Sequence, residues 1–204
     1  MVDFLRTPGY QEARRYYAAL PVRQGATILV GDSITAGGAW HELLQRGDVL
    51  NRGIVGDTVQ GVTERLPEIL RHQPRTVLLM IGTNDLMRDK KTPQSVMRQY
   101  RTLVQAIRRQ APQTRLIMQA IPPVNRTIET LLISGVEKGI LEVNQSLRSL
   151  AAEQKLAFLD THRLLVDDQG RLKESYTSGG VHLSITGYLR WSGAVRPLLG
   201  AREQ

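Results

Sequence analysis

A serine near the start of the chain occupies a position from which it could act as a nucleophile. Ser33 follows an apolar run after two intervening residues, Gly31 and Asp32, and precedes a segment with helical spacing. A serine at such a strand-to-helix turn presents both its hydroxyl and its own backbone amide at the edge of a sheet. The alternative is that Ser33 or Thr35 only caps the next helix. The nearby glycines lack the spacing of a dinucleotide-binding loop, and no lysine follows as it does in a phosphate-binding loop.

Two later loops carry groups that could stabilise the negative oxygen formed when a hydroxyl attacks an ester. Gly56 lies at a predicted strand-to-helix turn, where glycine lets the backbone approach closely, and Asn84 in the run GTND carries a side-chain amide. Each residue alone is equally well explained as an ordinary turn former. Because the two residues follow successive predicted strands, they indicate an oxyanion hole completed by the Ser33 amide.

A serine nucleophile also needs a base to take its proton, and histidine is the side chain most often used. His182 is the best placed, because it lies in the glycine-rich loop SGGVHLS and from there could reach Ser33 from the C-terminal side. His41 and His72 lie within helical patterns, and His162 follows the last predicted strand. We therefore expect a pair of Ser33 and His182.

Two acids border these loops, but neither is expected to act as the base. Asp32 should bond backbone amides of neighbouring loops, and Asp57 should cap the helix that follows it. The sequence shows no group of His, Asp and Glu with metal-ligand spacing, so we expect no metal and no other cofactor.

Four segments of the chain together resemble the sequence blocks of the SGNH hydrolases, the GDSL esterase and lipase superfamily. They are GDSIT, the loop around Gly56, GTND and the late histidine loop, and they span almost the whole chain. The resemblance implies a flavodoxin-like three-layer α/β sandwich. It also implies Ser33 as nucleophile, the Ser33 amide with Gly56 and Asn84 as oxyanion donors, and His182 as general base. The segments NRGIVGDT and MIGTNDL look most like bacterial relatives of the platelet-activating-factor acetylhydrolase catalytic subunits.

One position departs from the pattern of this superfamily. Its last block reads Asp-x-x-His, where the carboxylate orients the imidazole, but this chain has Gly179 three residues before His182. A backbone carbonyl near residues 178–180 could serve instead, giving a Ser-His dyad. Alternatively the glycine is an introduced change, or it marks a natural protein with decayed activity. A third interpretation is rescue by an acid of the preceding loop, namely Asp167, Asp168 or Glu174.

The substrate expected from these residues is a small ester. Five apolar residues lie in or beside the site loops and could line a small pocket, which favours short acyl groups, acetyl first: Ile34, Trp40, Val55, Leu86 and Val181. The alcohol could be a sugar, a lysophospholipid or a small metabolite. The alternative function is a non-catalytic protein that holds an acylated or anionic ligand in the same crevice, and Gly179 is the feature that favours it.

The elements that must position these residues follow from the hydrophobic periodicity. Short aliphatic runs alternate with longer segments of helical spacing, which is typical of an α/β fold with a parallel sheet. A proline after Thr92 and a serine at position 184 mark the starts of two helices. The predicted strands are residues 26–30, 49–53, 77–81, 116–120 and 156–160.

Composition limits the class of protein. A chain of 204 residues with 41% apolar and 23% charged residues predicts one domain over residues 1–204, on which residues 1–24 pack as a helical segment. The absence of cysteine excludes a thiol nucleophile and disulfides. No run of about 18 apolar residues and no secretory signal is present, so we expect a cytoplasmic protein without stable membrane insertion.

The charge balance raises the question of an anionic partner. The chain has 27 basic and 19 acidic residues, a net charge of +8. The arginines are scattered at helical spacing and no basic run is interleaved with aromatic residues, so solvated helix faces are favoured over nucleic-acid binding. The expected partner is a small ester, and a homodimer is compatible with the sequence.

Overall fold

The computed structural model describes residues 3–200, which are built around a sheet of five parallel strands. The strand order is β2-β1-β3-β4-β5, the order of flavodoxin-like doubly wound folds. The strands are β1 (Thr27–Gly31), β2 (Val49–Gly53), β3 (Thr76–Met80), β4 (Arg115–Gln119) and β5 (Ala157–Leu159). Each begins and ends within one residue of its predicted bounds, and the predicted α/β class with a parallel sheet is confirmed.

The central strands are buried on both faces. Ile28 and Val30 of β1 point into one apolar core, whereas Leu29 between them points into the other. This alternation follows from the two-residue period of a strand, and it explains why β1 and β3 are apolar almost throughout. The edge strand β5 is only half-buried along its length.

Helices cover both faces of the sheet and make it the middle of three layers. Residues of α4, α5, α7 and α8 pack in one core, and residues of α3, α9 and α10 pack in the other. The helices are α1 (Pro8–Ala19), α2 (Ser33–Ala36), α3 (Trp40–Leu44), α4 (Val59–Glu64), α5 (Leu66–Leu70), α6 (Thr83–Met87), α7 (Pro93–Gln110), α8 (Val136–Glu153), α9 (Thr161–Leu165) and α10 (Ile185–Val195), with short 3₁₀ turns at Phe4–Arg6, Glu174–Tyr176 and Arg196–Leu199.

The two helix starts expected from the sequence are present. The Thr92 side chain accepts a hydrogen bond from the Ser95 amide, and Pro93 opens α7. The Ser184 side chain accepts from the Gly187 amide at the start of α10. The apolar stripe of residues 59–69 is divided between α4 and α5, because Pro67 lacks the N–H that a continuous helix would use there.

The N-terminal helix α1 lies against the loop that follows β2. The buried Tyr10 donates a hydrogen bond to Oδ1 of Asp57 over 2.8 Å. At its other end, the Arg71 guanidinium donates to the backbone oxygens of Tyr17 and Leu20. The first residues of the described chain are therefore fixed beside the loop that contains Gly56.

The order of the strands determines where a ligand can bind. The chain passes from β1 outward to β2 and then back to β3 on the other side of β1, so the order reverses between β1 and β3. Crevices in open parallel sheets form at such a reversal, beyond the carboxyl ends of the strands. The loops after β1, β2 and β3 meet at this edge. None of the helices within residues 3–200 has the length and apolar character needed to cross a membrane.

Candidate active site

Ser33 is the first residue of α2 and follows the buried end of β1. The helix is capped by Asp32, whose Oδ1 accepts a hydrogen bond from the Ile34 amide over 3.0 Å. Ser33 is therefore not the cap, and its half-buried hydroxyl is directed at the cleft. The position at the start of a helix also leaves the Ser33 amide without an intrahelical acceptor.

The carboxyl group of Asp32 is shielded from water. Asp32 is fully buried, and burial raises the pKa of its carboxyl to about 7, against the opposing effect of the Ile34 amide. Its Oδ2 has no hydrogen-bond partner among residues 3–200. Asp32 thus shapes the turn that presents Ser33 while remaining out of contact with the cleft.

His182 lies opposite Ser33 on a short hairpin that precedes α10. Thr177 pairs with Leu183, and the Thr177 hydroxyl donates to the backbone oxygen of His182 over 2.7 Å. The same hydroxyl oxygen accepts from the amide of Gly180. This hairpin directs the exposed imidazole so that its Nε2 lies 2.9 Å from Oγ of Ser33.

The loops after β2 and β3 carry two further groups, of which Asn84 lines the cleft and Gly56 lies on the neighbouring loop. Nδ2 of Asn84, at the start of α6, donates to the backbone oxygen of Asp57 over 3.0 Å. The Arg88 guanidinium donates to the backbone oxygen of Gly56 over 2.7 Å, which fixes the orientation of that peptide. Within residues 3–200, no backbone acceptor bonds the Gly56 amide. The free N–H groups of Ser33, Gly56 and Asn84 are of the kind that stabilises an oxyanion.

Glycine is required at position 56 for two reasons. Its φ of +74° lies in the left-handed region, where other residues are strained. In addition, a Cβ atom there would overlap the ring of Phe4, which itself packs under the Arg88 guanidinium at 4.4 Å. Phe4 of the N-terminal segment therefore packs directly against the loop that carries the Gly56 amide.

Asp57 has a different role from the one expected. Thr58 caps α4 by accepting from the Gly61 amide, and the Asp57 carboxylate instead forms a buried ion pair with Arg65 at 2.8 Å. Asp57 also accepts from Tyr10. The sequence analysis expected Asp57 to be the cap, but its carboxylate is instead bound by Arg65 and Tyr10, which are distant in the sequence.

The cleft has a volume of about 320 Å³. Ser33, Asn84 and His182 line it, and Val181 is the one expected apolar residue in its wall. Half of the remaining lining comes from the loop between β4 and α8, which carries no recognised motif in the sequence. The remaining lining residues are Thr83, Met87, Glu129, Leu131, Leu132 and Gly179.

Four of the five apolar residues expected in the pocket lie elsewhere. Ile34, Trp40 and Leu86 are at most 4% exposed and belong to the two cores. The Trp40 ring packs edge-on against Trp191 at 4.6 Å. Val55 is exposed and lines a separate apolar cavity of about 590 Å³ beside α1. Ile34, Trp40 and Leu86 lie in the cores because apolar side chains next to strand ends gain more from burial in a core than from lining an open cleft.

The other three histidines do not approach Ser33. His72 is buried and its Nδ1 accepts from the Arg23 amide, while burial lowers the pKa of its imidazole. His162 lies on α9, where burial also lowers the imidazole pKa. His41 is exposed on α3 beside Glu42. In the part of the chain that the structure describes, no three His, Asp or Glu side chains are grouped as metal ligands.

The orienting acid is absent from its usual place. No group of residues 3–200 hydrogen-bonds Nδ1 of His182, and the neighbourhood of a Cβ atom at Gly179 is open within 4 Å. Asp167 is bound to the Arg171 side chain and to two amides of its own turn. Asp168 and Glu174 do not line the cleft. The structure thus brings Ser33, Asn84 and His182 to one cleft, with Gly56 on the loop that Asn84 contacts, but it brings none of the three acids considered from the sequence.

Comparisons with known proteins agree with this geometry. The GDSL-like lipase/acylhydrolase family matches residues 29–190. Human platelet-activating factor acetylhydrolase IB subunit alpha1 is 28% identical over 192 residues, covering 91% of this chain and 80% of that protein. The Escherichia coli (strain K12) protein named thioesterase 1/protease 1/lysophospholipase L1 is 36% identical over 110 residues, covering 48% of this chain and 52% of that protein.

A solved structure gives the same result for the whole fold. A Streptococcus pneumonia protein provisionally described as a platelet activating factor matches with a TM-score of 0.84 and 26% identity, covering 94% of this chain and 93% of that one. The resemblance noted in the sequence and the flavodoxin-like arrangement are thereby confirmed. The chain belongs to the GDSL-like lipase/acylhydrolase family of the SGNH hydrolases, a family of ester hydrolases.

Proposed function

We propose that the chain hydrolyses small carboxylic esters with Ser33 as its nucleophile and His182 as its base. The observation that carries the proposal is the 2.9 Å separation of Ser33 Oγ and His182 Nε2, two atoms from residues 149 positions apart. A hydroxyl and an imidazole at hydrogen-bond distance, facing a cleft, are what nucleophilic acyl transfer requires.

In the proposed reaction, Ser33 Oγ attacks the ester carbonyl carbon while His182 Nε2 takes the hydroxyl proton. The carbonyl oxygen becomes negative and is held by the amides of Ser33 and Gly56 and by the Asn84 side chain. Collapse of this intermediate breaks the bond to the alcohol, which leaves with the proton from His182. Water, deprotonated by His182, then releases the acid from the acyl-enzyme and restores the serine.

Short acyl groups fit the cleft best. Its volume of about 320 Å³ lies at the lower end for ligand pockets, and Val181, Met87 and Leu132 provide the apolar part of its lining. The name acetylhydrolase of the human relative favours an acetyl ester, and the name lysophospholipase L1 of the bacterial relative favours a lipid alcohol. We therefore propose acetyl esters of a lysophospholipid, a sugar or a small metabolite. The cytoplasmic location stays a prediction.

The test is hydrolysis of p-nitrophenyl acetate by the native chain and by two serine variants. Ser33→Ala should lower kcat by at least about 10³-fold, since the nucleophile is removed. Ser149→Ala, which removes an exposed hydroxyl from α8, should leave kcat unchanged. Equal rates in the native chain and in Ser33→Ala would rule out the proposed nucleophile. A fall in kcat/KM from acetate to octanoate esters would support the short acyl pocket.

One observation favours a second function, that of a binding protein for an acylated or anionic ligand. Nδ1 of His182 has no hydrogen-bond partner within residues 3–200, so nothing seen there orients the imidazole. A binding protein would retain an acylated ligand without turnover, and Ser33→Ala would leave its affinity intact. Mass spectrometry of p-nitrophenyl acetate after incubation with the native chain or with Ser33→Ala separates the two functions. Loss of the ester only with the native chain supports the enzyme, and an intact ester with both proteins supports the binding protein.

A further inference from the structure

A carboxylate from another loop lies in the same cleft as the unassisted imidazole. If Nε2 of His182 accepts the Ser33 proton, the imidazole proton is on Nδ1 and needs an acceptor of its own. Position 179, which holds aspartate in the superfamily pattern, has only glycine here. Glu129 is the one carboxylate among the residues that line the cleft with His182 and Gly179 in the described part of the chain.

The backbone of Glu129 is fixed against the histidine hairpin. The Asn125 amide donates to the backbone oxygen of Gly180 over 2.7 Å, and the Glu129 amide donates to the backbone oxygen of Asn125 over 2.9 Å. Nδ2 of Asn125 also donates to the backbone oxygen of Leu172. Residues 125–129 are therefore joined to the hairpin that presents His182 by the bond from Asn125 to Gly180, and Asn125 also holds the segment to Leu172.

Gly180 shows how closely the two segments pack. A Cβ atom on Gly180 would lie 2.8 Å from the Glu129 Cβ and 2.7 Å from the Asn125 oxygen, which no side chain could tolerate without displacement. Gly179, by contrast, leaves the space beside it open. The Glu129 Cβ atom thus lies next to the hairpin, and the volume that an aspartate at position 179 would occupy is empty.

We propose that Glu129 is the positioning residue that accepts the hydrogen bond from Nδ1 of His182. This inference rests on the proposed function, because it gives the base of that reaction its orienting acid. The Glu129 carboxylate is half-buried, and one of its oxygens now accepts from the exposed Leu131 amide over 3.1 Å. Rotation of this flexible side chain moves the carboxylate from that solvent-side contact into the space beside Gly179.

The first test measures the imidazole itself and does not depend on activity. The pKa of His182 is followed by NMR titration in the native chain and in Glu129→Gln. A neighbouring carboxylate stabilises the imidazolium, so its removal should move the NMR titration of His182 to lower pH. Glutamine keeps an oxygen that can accept from the Leu131 amide, so the variant leaves that contact available. Glu137→Gln, which removes a half-exposed carboxylate from α8, is the matched control and should leave the value unchanged.

The second test is a double-mutant cycle in turnover of p-nitrophenyl acetate. Glu129→Gln should lower kcat on the order of 10²-fold or more with little change in KM, and the acid limb of the pH profile should move to lower pH. Adding Gly179→Asp to Glu129→Gln should recover most of this loss. In the native background Gly179→Asp should raise kcat by less than about 10-fold, since the role is already filled.

The outcomes separate the two proposals. An unchanged His182 pKa and an unchanged pH profile in Glu129→Gln would overturn the role of Glu129, even if Ser33→Ala abolishes turnover. An equal increase in kcat from Gly179→Asp in the native chain and in Glu129→Gln would also overturn it. Glu129 and an aspartate at position 179 would then act independently, so Glu129 would not fill the role of that aspartate. If the native chain has no Ser33-dependent turnover, the NMR titration alone decides whether Glu129 faces the imidazole.

Discussion

The Asn84 side chain and the Asp57 backbone are joined by a hydrogen bond of 3.0 Å, in which Nδ2 of Asn84 is the donor. The bond ties the loop after β3 to the loop after β2. An amide nitrogen carries two N–H groups, so one holds the side chain in place and the second stays available to the cleft. This arrangement fixes a donor before any substrate binds, which is the property that makes an oxyanion hole effective.

Replacing Asn84 with alanine removes this donor. We expect kcat for p-nitrophenyl acetate to fall on the order of 10²–10³-fold with a smaller change in KM, because the interaction is strongest in the transition state. Steady-state kinetics at a fixed pH measure both parameters. Met87→Ala is the matched control, since the Met87 side chain lines the same cleft but has no N–H group, and its loss should affect KM more than kcat. A kcat within about threefold of the native value would remove Asn84 from the proposed oxyanion hole.

Gly56→Ala should destabilise the fold and impair the site together. The left-handed conformation costs a non-glycine residue about 1–2 kcal/mol, and the new methyl group must also displace the Phe4 ring. We expect the free energy of unfolding to fall by about 2–3 kcal/mol in urea titrations, with a lower kcat.

Two further variants separate the causes of that loss. Phe4→Ala combined with Gly56→Ala should relieve the overlap but leave the backbone strain. Gly193→Ala adds a methyl group to α10 with no atom within 4 Å, so it should raise stability by up to about 1 kcal/mol. Equal stability of Gly56→Ala and the native chain would contradict the account of this loop.

The sheet could be predicted because its signals are local. Each central strand is an apolar run ended by a turn residue, and Thr92 and Ser184 are capping residues whose hydrogen bonds reach only three residues along the chain. The meeting of Ser33 and His182 could be anticipated for a different reason. Loops at the carboxyl ends of parallel strands converge, so residues far apart in sequence could be assigned to one crevice.

The walls of the cleft could not be predicted in this way. The position of a residue beside a site loop in the sequence does not determine the direction of its side chain. Trp40 and Leu86 were expected in the pocket and are buried in the cores. The lining contributed by Glu129 depends on the hydrogen bond from Asn125 to Gly180, which joins residues 55 positions apart. Only the folded chain brings these segments together, and no local pattern encodes that contact.

The buried pair of Arg65 and Asp57 should dominate the stability of the loop after β2. Arg65 also donates to the backbone oxygens of Gly31 and Arg52, and it is 2% exposed. Arg65→Met leaves the Asp57 carboxylate buried without its cation, which should cost about 3–5 kcal/mol of unfolding free energy. Denaturation by guanidinium chloride measures this loss.

An exposed pair of the same type provides the comparison. Arg101 and Glu153 lie 2.9 Å apart with about half of each side chain exposed. Arg101→Met should change the unfolding free energy by less than about 1 kcal/mol, because water screens this pair and solvates the remaining carboxylate. Similar losses in the two variants would show that burial is not the source of the effect at Arg65.

Asp32→Asn should become more stabilising, relative to the native chain, as pH rises from 5 to 8. Burial raises the pKa of the Asp32 carboxyl to about 7, above its unfolded value of 3.8. Between these two values the native state binds a proton that the unfolded state does not, so the contribution of Asp32 to stability is present at low pH and is lost as pH rises through about 7. Asparagine is neutral throughout and can still accept from the Ile34 amide.

The difference in unfolding free energy between Asp32→Asn and the native chain should therefore increase by about 2–3 kcal/mol from pH 5 to pH 8, as measured by urea titration at each pH. Asp160→Asn is the matched control, because Asp160 also caps a helix but is partly solvated and paired with Arg148. It should show no comparable increase. A difference for Asp32→Asn that stays constant or shrinks with pH would mean that the native carboxyl is already ionised at pH 5, and that the turn beneath Ser33 holds a buried negative charge.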